Sequence, residues 1–123
     1  MQKEIMPLRN YAHIGDAVWE VFVRDYTILQ TSNAKLLHKI TTDRVKASFQ
    51  KDMLEFISPN LTEEEQELAR RGRNLPIPVA RRSIQHEYRP ATAFEVLIGF
   101  WYLHDKPRLD EILAMIKNTE FFS

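Results

Sequence analysis

A chain of 123 residues with 44% hydrophobic side chains has room for one core and little for a second, so a single catalytic or binding domain spanning 1–123 is expected. It contains no cysteine, which removes disulfides, thiolate–zinc sites and thiol nucleophiles and predicts a cytoplasmic protein; no apolar run reaches the roughly 18 residues of a membrane span, and the first ten residues lack a signal peptide's apolar centre. Seventeen Lys and Arg balance seventeen Asp and Glu, so affinity for a polyanion has to come from where charge is placed rather than from its sum.

With three glycines and apolar residues spaced by three and four, the pattern predicts an all-α fold with short connections. The first helix begins after Pro7 and runs to about Leu29, with Tyr11, Ile14, Val18, Val21, Phe22 and Ile28 on one face. Gly15 interrupts it. A glycine inside a helix costs about 1 kcal/mol against alanine, so it marks either a boundary or a close approach to the backbone, for instance by a ligand. A second helical region, about Asn33 to Ile57, is capped by Ser32 or Asn33. It turns Leu36, Leu37, Ile40, Val45, Phe49, Met53 and Phe56 inward, and a break falls near Thr41 to Asp43. Thr62 with Glu65 three residues later forms a capping box for a third helix reaching about Arg71. Gly72 to Arg89 reads as a loop because of Pro76 and Pro78, and Pro90 suits a helix start. Ala91 to Leu103, ATAFEVLIGFWYL, is apolar all round except for Thr92 and Glu95, which predicts a buried central helix. The last helix, about Pro107 to Lys117, is amphipathic through Leu109, Ile112, Leu113 and Ile116, with Asp105 as its cap.

Glu95 is the one charged residue in that apolar helix, and an unpaired carboxylate there would cost several kcal/mol or stay protonated. It pairs either with one of the many arginines or with a metal ion. Asp16, set among apolar neighbours after Gly15, is the matching candidate on the first helix, while Glu20 faces Arg24 four residues on and suits a surface ion pair. Two carboxylates without cysteine or a histidine cluster favour an oxygen-loving ion, Mg2+ or Mn2+, over zinc. His13, His38, His86 and His104 are scattered; His13, three residues from Asp16, is the one placed to matter. Between Arg70 and Arg89 stand six arginines against one acid, Glu87, a net charge of +5. Arg70, Arg71, Arg73, Asn74, Arg81, Arg82 and Arg89 are therefore candidate phosphate contacts, with Lys35, His38, Lys39 and Lys46 as weaker ones.

The stretches IGDAVWE at 14–20 and FEVLIGFWYL at 94–103 resemble the paired catalytic motifs of the ribonuclease III family. RRGRN at 70–74 and the Tyr88–Arg89 pair resemble its short bacterial branch, which lacks a separate double-stranded-RNA-binding domain. The resemblance runs from Leu8 to Ile116. It implies the helical ribonuclease III endonuclease fold, paired through the first motif helix into a homodimer, and magnesium-dependent hydrolysis of double-stranded RNA that leaves 5′-phosphates. Asp16 and Glu95 match the motif carboxylates, and a large-subunit ribosomal RNA precursor is the implied substrate. Ala12 and Thr92 stand where larger family members carry a glutamate and an aspartate, as they do across the short branch. A second departure is LPIPVARRSIQHEY at 75–88, stiffer and richer in arginine than the branch's usual glycine- and lysine-containing stretch.

Two other readings explain part of the sequence. A non-catalytic RNA-binding or assembly protein on the same scaffold would not need both Asp16 and Glu95. A helical protein-interaction module would account for Phe100, Trp101 and Tyr102 but not for a carboxylate beside them.

Overall fold

A computed structural model describes all residues from Met1 to Ser123. The chain forms six α-helices: α1 Leu8–Thr27, α2 Ala34–Val45, α3 Ala47–Ile57, α4 Glu63–Arg73, α5 Gln85–His104 and α6 Lys106–Lys117. Short 3-10 turns occupy Ser58–Asn60, Val79–Ile84 and Glu120–Phe122, and there is no strand. No helix is long and apolar enough to cross a membrane.

α5 is the axis. Its 20 residues span about 30 Å, and from Ala91 to Trp101 every side chain but Glu95 is buried, which requires cover on several sides. α1, α3 and α4 pack around it and α6 closes its far end. The core joins Trp19, Phe49, Leu68, Phe94, Leu97, Phe100, Trp101 and Ile112 into one cluster.

α1 buries Tyr11, Gly15, Trp19, Val23 and Thr27, one residue in four, and packs chiefly against α5. Two residues assigned to that face from the apolar spacing, Val21 and Ile28, lie outside it, each 60% exposed. The reason is Gly15. A Cβ there would lie 1.9 Å from the carbonyl oxygen of Glu95, and a Cβ on Gly99 would lie 1.9 Å from that of Tyr11. The two glycines let the main chains of α1 and α5 touch, and this fixes which side of α1 turns inward. Gly15 thus admits a neighbouring helix rather than a ligand.

Local capping follows the sequence. Asn33 accepts from the Leu36 amide at 2.9 Å, Asp105 accepts from the Arg108 amide at 3.2 Å, and Thr62 with Glu65 forms the reciprocal box. The break in the second region falls at Lys46 rather than at Thr41–Asp43, and Leu36 and Phe56 face solvent rather than the core. α4 continues to Arg73, two residues past the expected end near Arg71. The Gly72–Arg89 stretch is only partly loop. Val79–Ile84 forms a 3-10 turn after Pro78, and α5 begins at Gln85 with Pro90 inside it. That proline forfeits the single bond its amide would make to the His86 carbonyl, and the surrounding turns outweigh the loss.

Candidate active site

Because Gly15 touches the backbone of Glu95 itself, the next residue, Asp16, is carried to the Glu95 side chain. The two carboxyl groups lie within hydrogen-bonding reach. They share a cleft of about 440 Å3 with Lys46, Ser48, Gln50, Arg81, Glu87, Tyr88 and Thr92. Asp16 is exposed rather than buried, as its apolar neighbours had suggested it would be; Glu95 is half-buried.

Burial and the neighbouring Asp16 carboxylate push the Glu95 carboxyl up to about 8, against a weaker opposing pull from Gln50. No lysine or arginine neutralises Glu95: the salt-bridge partner that composition allowed is not there. No third Asp, Glu, His or Cys completes a cluster of three around the pair. Thr92 is buried and lines the same cleft.

The donors present are hard oxygens, and an adjacent pair of acids without a cationic partner suits a divalent cation of the magnesium type. A second observation points the same way. The Gln50 side chain is 2% exposed and its amide oxygen has no protein donor, although Gln50 lines this cleft. Gln50 was invisible as a site residue in the sequence; its one signal is a polar side chain in register with the buried stripe of Phe49, Met53, Leu54 and Ile57.

The basic residues divide into two groups. Arg70 is held by both oxygens of Glu67 at 2.9 and 2.5 Å, Arg71 pairs with Glu4, and Arg89 donates to the carbonyls of Arg73 and Leu75 at 3.0 and 3.4 Å, tying down the end of α4. Each of these three already has a partner in the protein, Arg70 in an exposed pair. Arg73, Arg81 and Arg82 are exposed, and so is Asn74, whose amide caps α4. Arg81 and Lys46 reach the cleft itself. Lys35 and His38 lie on the exposed side of α2, and Lys39 pairs with Asp43 at 2.7 Å. Glu20 and Arg24 form the expected surface pair at 2.8 Å. His13 is exposed, and His104 is hydrogen-bonded to the buried Tyr11 hydroxyl at 2.7 Å, outside the acid pair's cleft.

A larger hollow, about 680 Å3, lies over Glu65, His104 and Arg108. Its one buried acid, Glu65, is already satisfied by Arg108, Trp101 and the Thr62 amide, so chemistry concentrates in the smaller cleft.

An all-helical chain that brings two acids from separate helices into one cleft with a lysine and an arginine has the form of a nuclease domain. Residues 9–106 match the model of the Ribonuclease III domain. Proteins called Mini-ribonuclease 3 are similar over most of their length: one from Gloeobacter violaceus is 42% identical, covering 94% of this chain and 85% of its own. One from Clostridium tetani is 40% identical, covering 94% and 79%. A crystal structure of a protein from Fusobacterium nucleatum, 30% identical, superposes with a TM-score of 0.83 over 97% of this chain and 100% of that one. The chain belongs to the ribonuclease III family, whose members are endoribonucleases, as its two motifs had indicated.

Proposed function

We propose that this chain, acting over its whole length as one catalytic unit, cleaves double-stranded RNA with Asp16 and Glu95 holding a Mg2+ or Mn2+ ion. The observation that supports the reading best is the contact between these two acids in a cleft that also receives Lys46 and Arg81. When bound, such an ion makes water nucleophilic near neutral pH and neutralises the departing oxyanion.

The chain's own residues supply orientation. Asp16 and Glu95 are fixed relative to each other by touching backbones. Lys46 and Arg81, both lining the cleft, suit the non-bridging oxygens of the scissile phosphate. In the overall step the water oxygen bonds to phosphorus and the P–O3′ bond breaks, giving a 5′-phosphate and a 3′-hydroxyl. An A-form duplex offers phosphates and 2′-hydroxyls across a shallow groove; Arg73, Asn74, Arg81 and Arg82, all exposed, suit that grip, and Arg70, Arg71 and Arg89, each already partnered within the protein, suit it less.

A homodimer accords with the outer side of α1. Ala17, Val21 and Ile28 follow one another there at helical spacing and are exposed, and Leu29 and Leu36 are exposed apolar residues as well. Two copies so joined would present two acid pairs, one for each strand. Resemblance to the short branch suggests a large-subunit ribosomal RNA precursor as substrate and the cytoplasm as the place of action, in keeping with the absence of cysteine.

The test is incubation with a long duplex RNA with and without Mg2+. Discrete products are expected only with the ion, and Asp16→Asn or Glu95→Gln should lower the rate by at least about a hundredfold with circular dichroism unchanged. Full activity in either variant, or cleavage insensitive to chelator, would refute the reading.

A further inference from the structure

Gln50 occupies the second turn of α3 and is 2% exposed. Its amide nitrogen donates to the Val45 carbonyl at 3.0 Å. A carbonyl can only accept, so this bond settles which end of the amide is nitrogen and which is oxygen. The oxygen is left with no protein donor. Buried polar atoms are paired in the great majority of cases, so an orphan in the wall of a cleft asks for a ligand. The amide N–H side of the same residue faces Glu95 and draws its carboxyl down, and Lys46, Ala47 and Ser48 place the start of α3 along the same cleft.

We propose that Gln50 joins Asp16 and Glu95 as an oxygen donor for the divalent cation. The inference rests on the acid pair being the cation site. An ion of this kind takes six oxygens in octahedral geometry, one or two of them from carboxylates and the rest from water or phosphate, so a neutral amide oxygen can replace one of the waters. Gln50 supplies a neutral third oxygen from a third helix, so that α1, α3 and α5 would each contribute one. It also explains why a polar residue is tolerated among Phe49, Met53, Leu54 and Ile57.

The experiment is Mn2+ binding by titration calorimetry on the full chain, without RNA, for wild type, Asp16→Asn, Gln50→Leu and Gln50→Glu, alongside the Mn2+-induced rise in Tm. Wild type should bind, Asp16→Asn should bind much more weakly, and Gln50→Leu should lose about tenfold or more in affinity. Gln50→Glu puts a charged oxygen donor in the same place, so its Tm should fall in chelator and rise further with Mn2+ than that of wild type. Wild-type affinity in Gln50→Leu overturns the role of Gln50 while leaving the acid pair standing. If Gln50→Leu does not fold, the glutamate variant decides: a Mn2+ response no larger than that of wild type, or a chain that stays unfolded with Mn2+ present, overturns it. Absence of binding by wild type, or undiminished binding by Asp16→Asn, removes the acid-pair site and this inference with it.

Discussion

Two glutamates on the inner side of this fold receive opposite treatment. Glu65, at the start of α4, is 4% exposed, and its oxygens accept from the Arg108 guanidinium at 2.9 and 2.8 Å, from Trp101 Nε1 at 2.9 Å and from the Thr62 amide at 2.9 Å. Burial works to raise its carboxyl, but the Arg108 and Thr62 bonds outweigh it and hold the group below the usual carboxylate range. Glu95, on α5, meets another acid instead and is pushed up to about 8. A fold that can satisfy one glutamate so fully leaves the other in conflict, and an acid left in conflict beside a cleft is a mark of function rather than of stability.

The comparison breaks most severely at Gly15. Gly15→Ala drives a methyl into the Glu95 carbonyl, so a loss of about 4 kcal/mol or more is expected, read by urea denaturation, together with loss of cleavage. Next comes the satisfied acid. Glu65→Gln or Arg108→Met leaves half of a buried pair behind and should cost about 3 kcal/mol, yet cleavage per folded molecule should stay at the wild-type level; a hundredfold fall in turnover with the fold intact would erase the distinction between the two glutamates.

Their pH dependences should also run in opposite senses. The depressed Glu65 contributes stability above its unfolded value near 4.5, and that contribution is lost as pH falls through its lower folded value. Glu95, raised to about 8, acts the other way: in chelator the protein should lose stability as pH climbs from about 4.5 to about 8. Tm measured against pH in EDTA should show both limbs, with Glu65→Gln flattening the acid one and Glu95→Gln the alkaline one. The smallest effect concerns the rim. Joint replacement of Arg81 and Arg82 by alanine should weaken duplex RNA binding by about tenfold and make its salt dependence shallower, whereas Arg70→Ala, already tied to Glu67, should change it little; fluorescence anisotropy at two salt concentrations separates them.

What the sequence disclosed was local or motif-borne. Caps at Asn33, Thr62 and Asp105 are readable because a side chain and an amide two or three residues apart suffice. Asp16 and Glu95 are readable because each stands alone among apolar neighbours within a family motif. The partnership of Glu65 with Arg108 joins residues 43 apart and leaves no local trace beyond the capping box. The inward face of α1 was misassigned at Val21 and Ile28 because side-chain hydrophobicity gives glycine no weight, although the tightest contact of that face is made by Gly15. Helix α5 starts five residues before Pro90 because one lost hydrogen bond is minor against twenty residues of packing. The arginines of the loop carry one charge each on paper, and only placement separates Arg89, spent on carbonyls, from Arg81, which reaches the cleft.

The meeting of Gly15 and Gly99 gives the enzyme a hard stop. Side chains elsewhere in the core can swap rotamers or loosen on warming, but they do not set the gap between the two acids; atoms of the main chain do. Distant core replacements that soften the protein should therefore shorten its lifetime without detuning the pair, and turnover should climb with temperature as an ordinary activated rate until α1 lifts from α5, then fall abruptly.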